Sequence, residues 1–246
     1  MIDFGVVDTH VHLWDIANIS YPWLADIPLL NRNYLPADYK DAHGEVPVEK
    51  MVFLECDAAP GYEVAEARWV ASLVEEEPRL AGLVPSAPLE SGAAAADVLG
   101  ELAQIPQVKG VRRLIQSRPI GFCVQPRFIE GVRLLERYDF SFDICINHLQ
   151  LANAIEMVRQ CPNVSFILDH IGKPDIKGGL YEPWKTELRE LSRMSNVYCK
   201  VSGMVTESDT ESWKREDLKP YIDHVIESFG PSRVVFGVDW PVVLRA

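Results

Sequence analysis

Two histidines stand two residues apart near the start of this chain, His10 and His12. They close the run VVDTHVH, Val6 to His12, in which apolar residues lead into a polar burst. In a strand, residues two apart project from the same face, so the two imidazoles would stand together, about 6–7 Å apart along the strand. That spacing suits two nitrogens on one metal ion or one substrate. Asp8 has the same parity and is a candidate to orient one of them, as carboxylates behind a ligating imidazole do. The same residues would also serve as the polar end of an ordinary strand, and the pair alone does not choose.

The elements that would position such a pair recur along the chain. Apolar runs of strand length occur at Val6–Thr9, Met51–Glu55, Leu80–Pro85, Val108–Leu114, Ser141–Ile146, Ser165–Asp169, Val197–Val201 and Val234–Val238. Most are continuous rather than alternating, as strands buried on both faces are, and all-parallel sheets are the usual case. Helical patterns lie between them: Tyr62–Glu77, Ala93–Gln104, Pro126–Arg137, Leu151–Gln160, Pro183–Met194 and Asp217–Phe229. Strand and helix alternate with no break in composition, which argues for one parallel α/β domain over residues 1–246. Eight units of about 30 residues fit a (β/α)8 TIM barrel. An open doubly wound sheet lacks support, because no GxGxxG opens a helix after an early strand. The stretch from Leu13 to Glu49 reads as a long irregular connection, either functional or a packed elaboration. Ala246 falls just past the eighth strand, so the final helix is expected to be missing or truncated, with the barrel open there or covered by another chain in a homo-oligomer.

Barrel active sites gather where the C-terminal ends of the strands meet. The polar residues expected there are His10 and His12, Glu55 and Asp57, Arg112 and Arg113, Asn147 and His148, Asp169 and His170, Lys200 and Ser202, and Asp239 with Trp240. Four of the six histidines fall at strand tips, a placement that chance would rarely produce. His43 sits in a polar loop and is expected to be solvated. His224 lies in the last helix and is expected to pack there. Of Arg112 and Arg113, adjacent on one strand, one must face the barrel and the other the helices. Lys200 either reaches the mouth or is a buried structural charge. Trp14, Trp240 and Tyr21 are candidate walls for a sugar ring, or core residues.

A net charge of −12 argues against binding nucleic acid or an anionic membrane through the overall field. It leaves room for a small substrate. The five cysteines, Cys56, Cys123, Cys145, Cys161 and Cys199, are scattered with no CxxC pair, so zinc-ribbon and thioredoxin readings fall away. Cys56, Cys145 and Cys199 sit in apolar runs and read as small hydrophobes. A reducing cytoplasm is the simplest compartment. No signal peptide and no transmembrane run is recognised.

The segments VDTHVHLWD, GVRRLIQ, FILDHIGKP, VYCKVSGM and RVVFGVDWPV, in that order, resemble the amidohydrolase superfamily. Within it they are similar to the amidohydrolase-2 branch, the sugar lactonases of the L-fucono- and L-rhamnono-lactonase and pyrone-dicarboxylate lactonase type. The likeness runs from Val6 to Val243. It implies a hydrolase that opens the lactone ring of a sugar acid. It also implies roles: His10 and His12 as the strand-one pair, His170 as the strand-six histidine, and Asp239 as the aspartate that handles the nucleophilic water. His148 would be the strand-five histidine, although its flanks, INHLQL, depart from the arrangement by a residue. Two-metal members supply a bridging lysine or glutamate at strand four. This chain has Arg112 and Arg113, and an arginine stays protonated, so a bridged pair of metals is not expected. The resemblance leaves two versions. In one, His10, His12, His170 and Asp239 hold a single Zn²⁺ or Mn²⁺. In the other, no metal is used, Asp239 is the base, and the histidines with Arg112 stabilise the oxyanion. Arg112, His148, Trp14 and Trp240 would contact substrate. Two rival functions stand beside this one: a metal-dependent decarboxylase of a small aromatic or enol acid, and a binding barrel without catalysis.

Overall fold

The computed structural model describes residues 3–246. Eight strands run in order: β1 (Val6–Val11), β2 (Val48–Leu54), β3 (Leu80–Val84), β4 (Gly110–Leu114), β5 (Ser141–Cys145), β6 (Phe166–Leu168), β7 (Val197–Val201) and β8 (Val234–Phe236). An α-helix follows each of the first seven: α1 (Pro36–His43), α2 (Glu63–Ser72), α3 (Ala95–Leu102), α4 (Pro126–Leu134), α5 (Leu151–Gln160), α6 (Trp184–Leu191) and α7 (Arg215–Phe229). All strand pairs are parallel, in two runs, β1–β2–β3 and β4 through β8. Bridges at Leu83–Val108 and Ser86–Arg112 join the runs on one side, and Val11–Trp240 closes the other. At that closure His12 N–H donates to the Trp240 carbonyl at 2.8 Å, and Asp239 N–H to the His10 carbonyl at 2.9 Å. The (β/α)8 TIM barrel read from the sequence is therefore the fold, and its seam is sewn by residues of the expected site.

The helices pack as their spacing requires. On α5, Leu151, Ala154, Ile155 and Val158 repeat at the helical period and are all buried. Each such large aliphatic contributes roughly 1.5–3 kcal/mol when fully removed from water. The stretch read as irregular between β1 and β2 contains a 3-10 turn at Pro22–Asp26 and the helix α1, opened by Pro36 at its first position. Past β8, among the described residues, there is a 3-10 turn at Val242–Arg245 and no α-helix. A groove of about 360 Å³, lined by Val6, Tyr39, Val46, Phe236, Val243 and Leu244 among others, lies along the outer side of β8 and β1. No helix is long and apolar enough to cross a membrane.

The parity expected of Asp8 does not hold. Strict alternation would put it on the face of His10 and His12, but β1 does not keep strict alternation. Its register against β2 slips between Asp8 and Val11, where three steps on β1 oppose two on β2. This bulge turns His10 inward while Asp8 points outward toward α1. Asp8 Oδ1 accepts the backbone N–H of His10 at 3.1 Å and of Val238 at 3.0 Å, and Oδ2 accepts the Tyr39 hydroxyl at 2.8 Å. Asp8 holds the bulge and touches no imidazole.

The bulge also dictates a glycine across the seam. A Cβ on Gly237 would lie 2.5 Å from His10 Cβ and 3.0 Å from its backbone nitrogen. Gly237→Ala should therefore lower stability by about 1–3 kcal/mol, the usual range for overpacking. Gly100→Ala, in α3 with its nearest neighbour the Tyr138 hydroxyl at 3.9 Å, should instead gain about 0.4–1 kcal/mol. Urea denaturation of both variants decides; equal behaviour would remove the close approach at His10 as the reason for Gly237.

Candidate active site

A cavity of about 290 Å³ opens where the strand ends converge. Its walls include His12, Glu55, Arg112, Cys145, His170 and Asp239, and also Trp23, Asp57, Gln116, Ser117, Lys173 and Arg245. At its head, His10 Nε2 and His12 Nε2 approach to 3.2 Å, and Asp239 Oδ1 lies 3.2 Å from His12 Nε2 and 3.5 Å from His10 Nε2. His170, His10 and Asp239 each bring a donor atom within 4.8 Å of the others.

Hydrogen bonding fixes where the protons sit. His12 Nδ1 faces the Leu54 carbonyl at 2.9 Å, which can only accept, so a neutral His12 carries its proton there and its lone pair on Nε2. Arg112 can only donate, and its guanidinium reaches His10 Nε2 at 3.2 Å, so His10 also presents a lone pair at Nε2. The Asp239 carboxylate oxygen thus meets the lone pair of His12, and the His10 lone pair beside them accepts an Arg112 N–H. Burial holds His10 well below the ordinary imidazole range despite Asp169 beside it. Burial likewise lowers His170 to about 4, against the pull of Asp239. Burial alone would push the Asp239 carboxyl up, but the imidazoles of His170, His12 and His10 outweigh it and hold it well below the carboxylate range.

Beneath this head lies a ladder of buried charge. Arg112 Nε donates to Glu55 Oε1 at 2.7 Å, its NH2 to the Glu55 carbonyl at 2.7 Å, and its NH1 to Asp169 Oδ2 at 3.2 Å. Lys200 Nζ sits 2.8 Å from both Asp169 Oδ1 and Asp143 Oδ2. Burial disfavours the Lys200 ammonium, yet Asp143 and Asp169 outweigh it and raise its pKa. Asp143 is pushed up to about 6 by burial, against Lys200. Four buried carboxyl groups (Glu55, Asp143, Asp169, Asp239) therefore face two buried cations, Arg112 and Lys200. Outside the barrel, Arg113 pairs with Glu90.

The backbone around the mouth is held in left-handed conformations. Asp57 (φ 53°), His170 (51°), Ile171 (50°), Gly172 (77°), Lys173 (47°) and Asp239 (65°) all lie there. For the five that are not glycine this costs of order 1–3 kcal/mol each, and it persists where the surroundings over-determine it. Facing His170, Gly203 (φ +61°) has no room for a side chain: a Cβ would lie 2.4 Å from His170 Nδ1. That nitrogen meets Ser202 Oγ at 2.9 Å.

The structure brings His10, His12, His170, Asp239 and Arg112 together. It does not bring Trp14, Trp240 or His148 to the cavity. Trp14 is fully buried among Tyr21, Trp23 and Tyr34, its indole N–H on the Arg32 carbonyl. Trp240 packs against Tyr34 and Tyr39 on the outer side of the seam. Strand β5 ends at Cys145, and Asn147 then caps the next turn: its side chain accepts Leu149 N–H while Gln150 reaches back to its own N–H. His148 is carried past the mouth to the Lys173 carbonyl, 3.2 Å from Nδ1. His43, expected in solvent, ends α1 and meets Arg79 at 2.7 Å. His224 packs on Trp184 as its helix position suggested. Among the cavity residues that sequence reasoning passed over are Trp23, Ser117 and Arg245, together with Cys56 and Cys145, read as core, and Gln116 and Lys173, present only inside GVRRLIQ and HIGKP.

Fold and site together define a (β/α)8 barrel with buried histidines and aspartates gathered at the C-terminal ends of its strands. The chain belongs to the amidohydrolase family, whose model matches residues 7–246. It is similar to an L-fucono-1,5-lactonase of Burkholderia multivorans, 29% identical over 98% of this chain and 83% of that one. An L-rhamnono-gamma-lactonase of Scheffersomyces stipitis is 25% identical over 98% and 87%. Among solved structures, a zinc-bound amidohydrolase from Burkholderia multivorans superposes with a TM-score of 0.86 at 28% identity, over 99% of this chain and 87% of that one.

Behind His12 sits an acid that the chemistry above does not use. Cys56 Sγ lies 3.6 Å from His12 Nδ1, and Glu66 Oε1 accepts the Cys56 N–H at 3.3 Å. Burial pushes Glu66 up to about 8, from 4.5. The native protein therefore holds a proton that the unfolded chain releases between those values, and stability falls as pH rises through that window. Glu66→Gln cannot ionise. Its stability relative to the parent should rise by about 4 kcal/mol between pH 5 and pH 9. Urea unfolding of both proteins across that range reads the difference; parallel curves would mean that Glu66 is ionised throughout.

Proposed function

We propose that this protein opens the lactone ring of a small sugar acid by water attack, with Asp239 as the proton acceptor. The observation that carries the reading is the meeting of Asp239 Oδ1 with two imidazole lone pairs at the head of the cavity. The similarity to named lactonases supplies the substrate class.

The donor set fits a divalent ion. Two unprotonated imidazole nitrogens and a carboxylate oxygen converge, an ion there would displace the Arg112 N–H from His10 Nε2, and the four carboxyl groups Glu55, Asp143, Asp169 and Asp239 exceed the cations Arg112 and Lys200 by two. His10, His12, Asp239 and His170 would hold such an ion, and nitrogen with oxygen donors suit Zn²⁺ or Mn²⁺. When bound, it supplies positive charge that polarises the lactone carbonyl and acidifies water.

The chain's own groups then divide the work. Asp239 takes a proton from the attacking water as its oxygen bonds to the carbonyl carbon. It returns that proton to the ring oxygen as the C–O bond breaks, leaving a hydroxy acid. Ser202 holds the His170 ring through Nδ1, and the Leu54 carbonyl holds His12. Arg112 commits four of its five N–H donors to Glu55, Asp169 and His10, so at most one remains for substrate. Lys173 and Gln116 are the cavity donors placed to meet ring hydroxyls.

Asp239→Asn keeps the shape and removes the base. It should lower kcat for aldonolactone opening by at least ~10²-fold while the protein remains folded. A pH-stat assay over a panel of aldonolactones and aromatic carboxylates, after chelation and after adding Zn²⁺ or Mn²⁺, tests the whole reading. Turnover of a lactone that returns with metal and is lost in Asp239→Asn is the expected result. A well-folded Asp239→Asn protein with near-parental turnover would remove Asp239 from the mechanism, and release of carbon dioxide from an aromatic acid would replace the lactone reading.

A further inference from the structure

Cys145 ends β5, two residues beyond Asp143 and on the same face, so it stands one step nearer the mouth than the buried ladder. It is buried and forms part of the cavity wall. Its Sγ, a carboxylate oxygen of Asp169 and a ring nitrogen of His170 all lie within 4.8 Å of one another. Asp169 and His170 are buried as well. The thiol's hydrogen-bond partner is Gln116 Oε1, at 3.6 Å. His170 keeps Nδ1 on Ser202, which leaves Nε2 as its ligating atom. Asp169 pairs with Lys200 through Oδ1 and accepts from Arg112 at Oδ2, but a carboxylate offers about four lone-pair sites, so these partners do not exhaust it.

We propose that Cys145, Asp169 and His170 form a second cation position, sulfur-containing and selective for a thiophilic divalent ion such as Cd²⁺ or Zn²⁺. Thiolate is the softest donor in the mouth, and soft ligands select such ions over Mn²⁺ or Mg²⁺. The ligand is the thiolate, so binding forms one metal–sulfur bond and releases the thiol proton to solvent. His170 Nε2 has a single lone pair, and His170 also belongs to the cluster with His10 and Asp239. The two positions therefore compete for it. An ion drawn to Cys145 takes His170 from the other cluster, and the hardness of the ion decides which position fills. Ion binding at Cys145 needs these donors alone and is independent of the lactone reaction.

The test is a titration of the chelator-stripped, full-length protein with CdCl₂, followed by thiolate-to-metal charge-transfer absorption. A saturable band corresponding to one sulfur donor is expected, lost in Cys145→Ser and kept in Cys161→Ser, where the sulfur lies beside the Ile129 carbonyl far from the mouth. No band in the parent, or an undiminished band in Cys145→Ser, overturns the proposal. Should Cys145→Ser fail to fold, cadmium NMR of the parent protein decides without a variant. A chemical shift of a site with one sulfur supports the proposal, and one of nitrogen and oxygen donors alone refutes it.

Discussion

The site depends on how Asp169 is held. Its two oxygens take Lys200 from β7 and Arg112 from β4, and Arg112 and Lys200 reach on to Glu55 and Asp143. Residues on or just past five strands are tied by these pairs. Taking each ion out of water carries a penalty of several kcal/mol, and well-packed aliphatic side chains in the same space would often be as stable or more so. What an aliphatic core would lack is direction. Asp169 faces His10 Nδ1 at 3.5 Å while Arg112 approaches Nε2, so the ladder puts the proton of His10 on one nitrogen and its lone pair on the other. The charges beneath the mouth thus set the tautomer of the imidazole within it.

A second constraint is geometric. Asp169 and His170 are neighbours in sequence, yet both face the barrel interior. A strand sends successive side chains to opposite faces, so the backbone must leave the strand to present both. It does so by turning left-handed from His170 through Lys173, and Gly203 clears space for the ring that results. At β1 the bulge solves the same problem, and at β8 Asp239 adopts a positive φ while Gly237 lets His10 pass. His10, His170 and Asp239 are each aimed by a departure from regular backbone, and each departure is locked by a neighbour that has no side chain or by a hydrogen bond.

That explains what was legible in the sequence. Strand positions were readable because most strands stand as continuous apolar runs between polar stretches, and the convergence of His10, His12, His170 and Asp239 followed from their places at strand ends. Departures from the strand were not readable. Alternation puts Asp8 beside His10, since a bulge carries no signature in VVDTHVH. Trp14 and Trp240 resemble walls because aromatic residues near strand ends serve either purpose, and only packing decides. Trp23 enters the cavity because its indole N–H finds the Cys56 carbonyl at 2.8 Å, a partner 33 residues away that no local pattern reveals.

The end of β5 shows how local chemistry redirects a site. Asn147 followed three residues later by Gln150 is a capping signature, and it competes with the reading of Asn147-His148 as a strand tip. The cap prevails because it satisfies backbone donors that the start of the next helix would otherwise leave unpaired. Once the chain turns at Asn147, the last β5 side chain to face the mouth is Cys145, and His148 lies a turn beyond reach. The strand-five donor in this barrel is therefore sulfur, set beside a carboxylate and an imidazole, in a mouth whose other histidines present nitrogen. One turn of helix initiation has changed the chemical softness of the fifth wall while leaving the remaining donors in place.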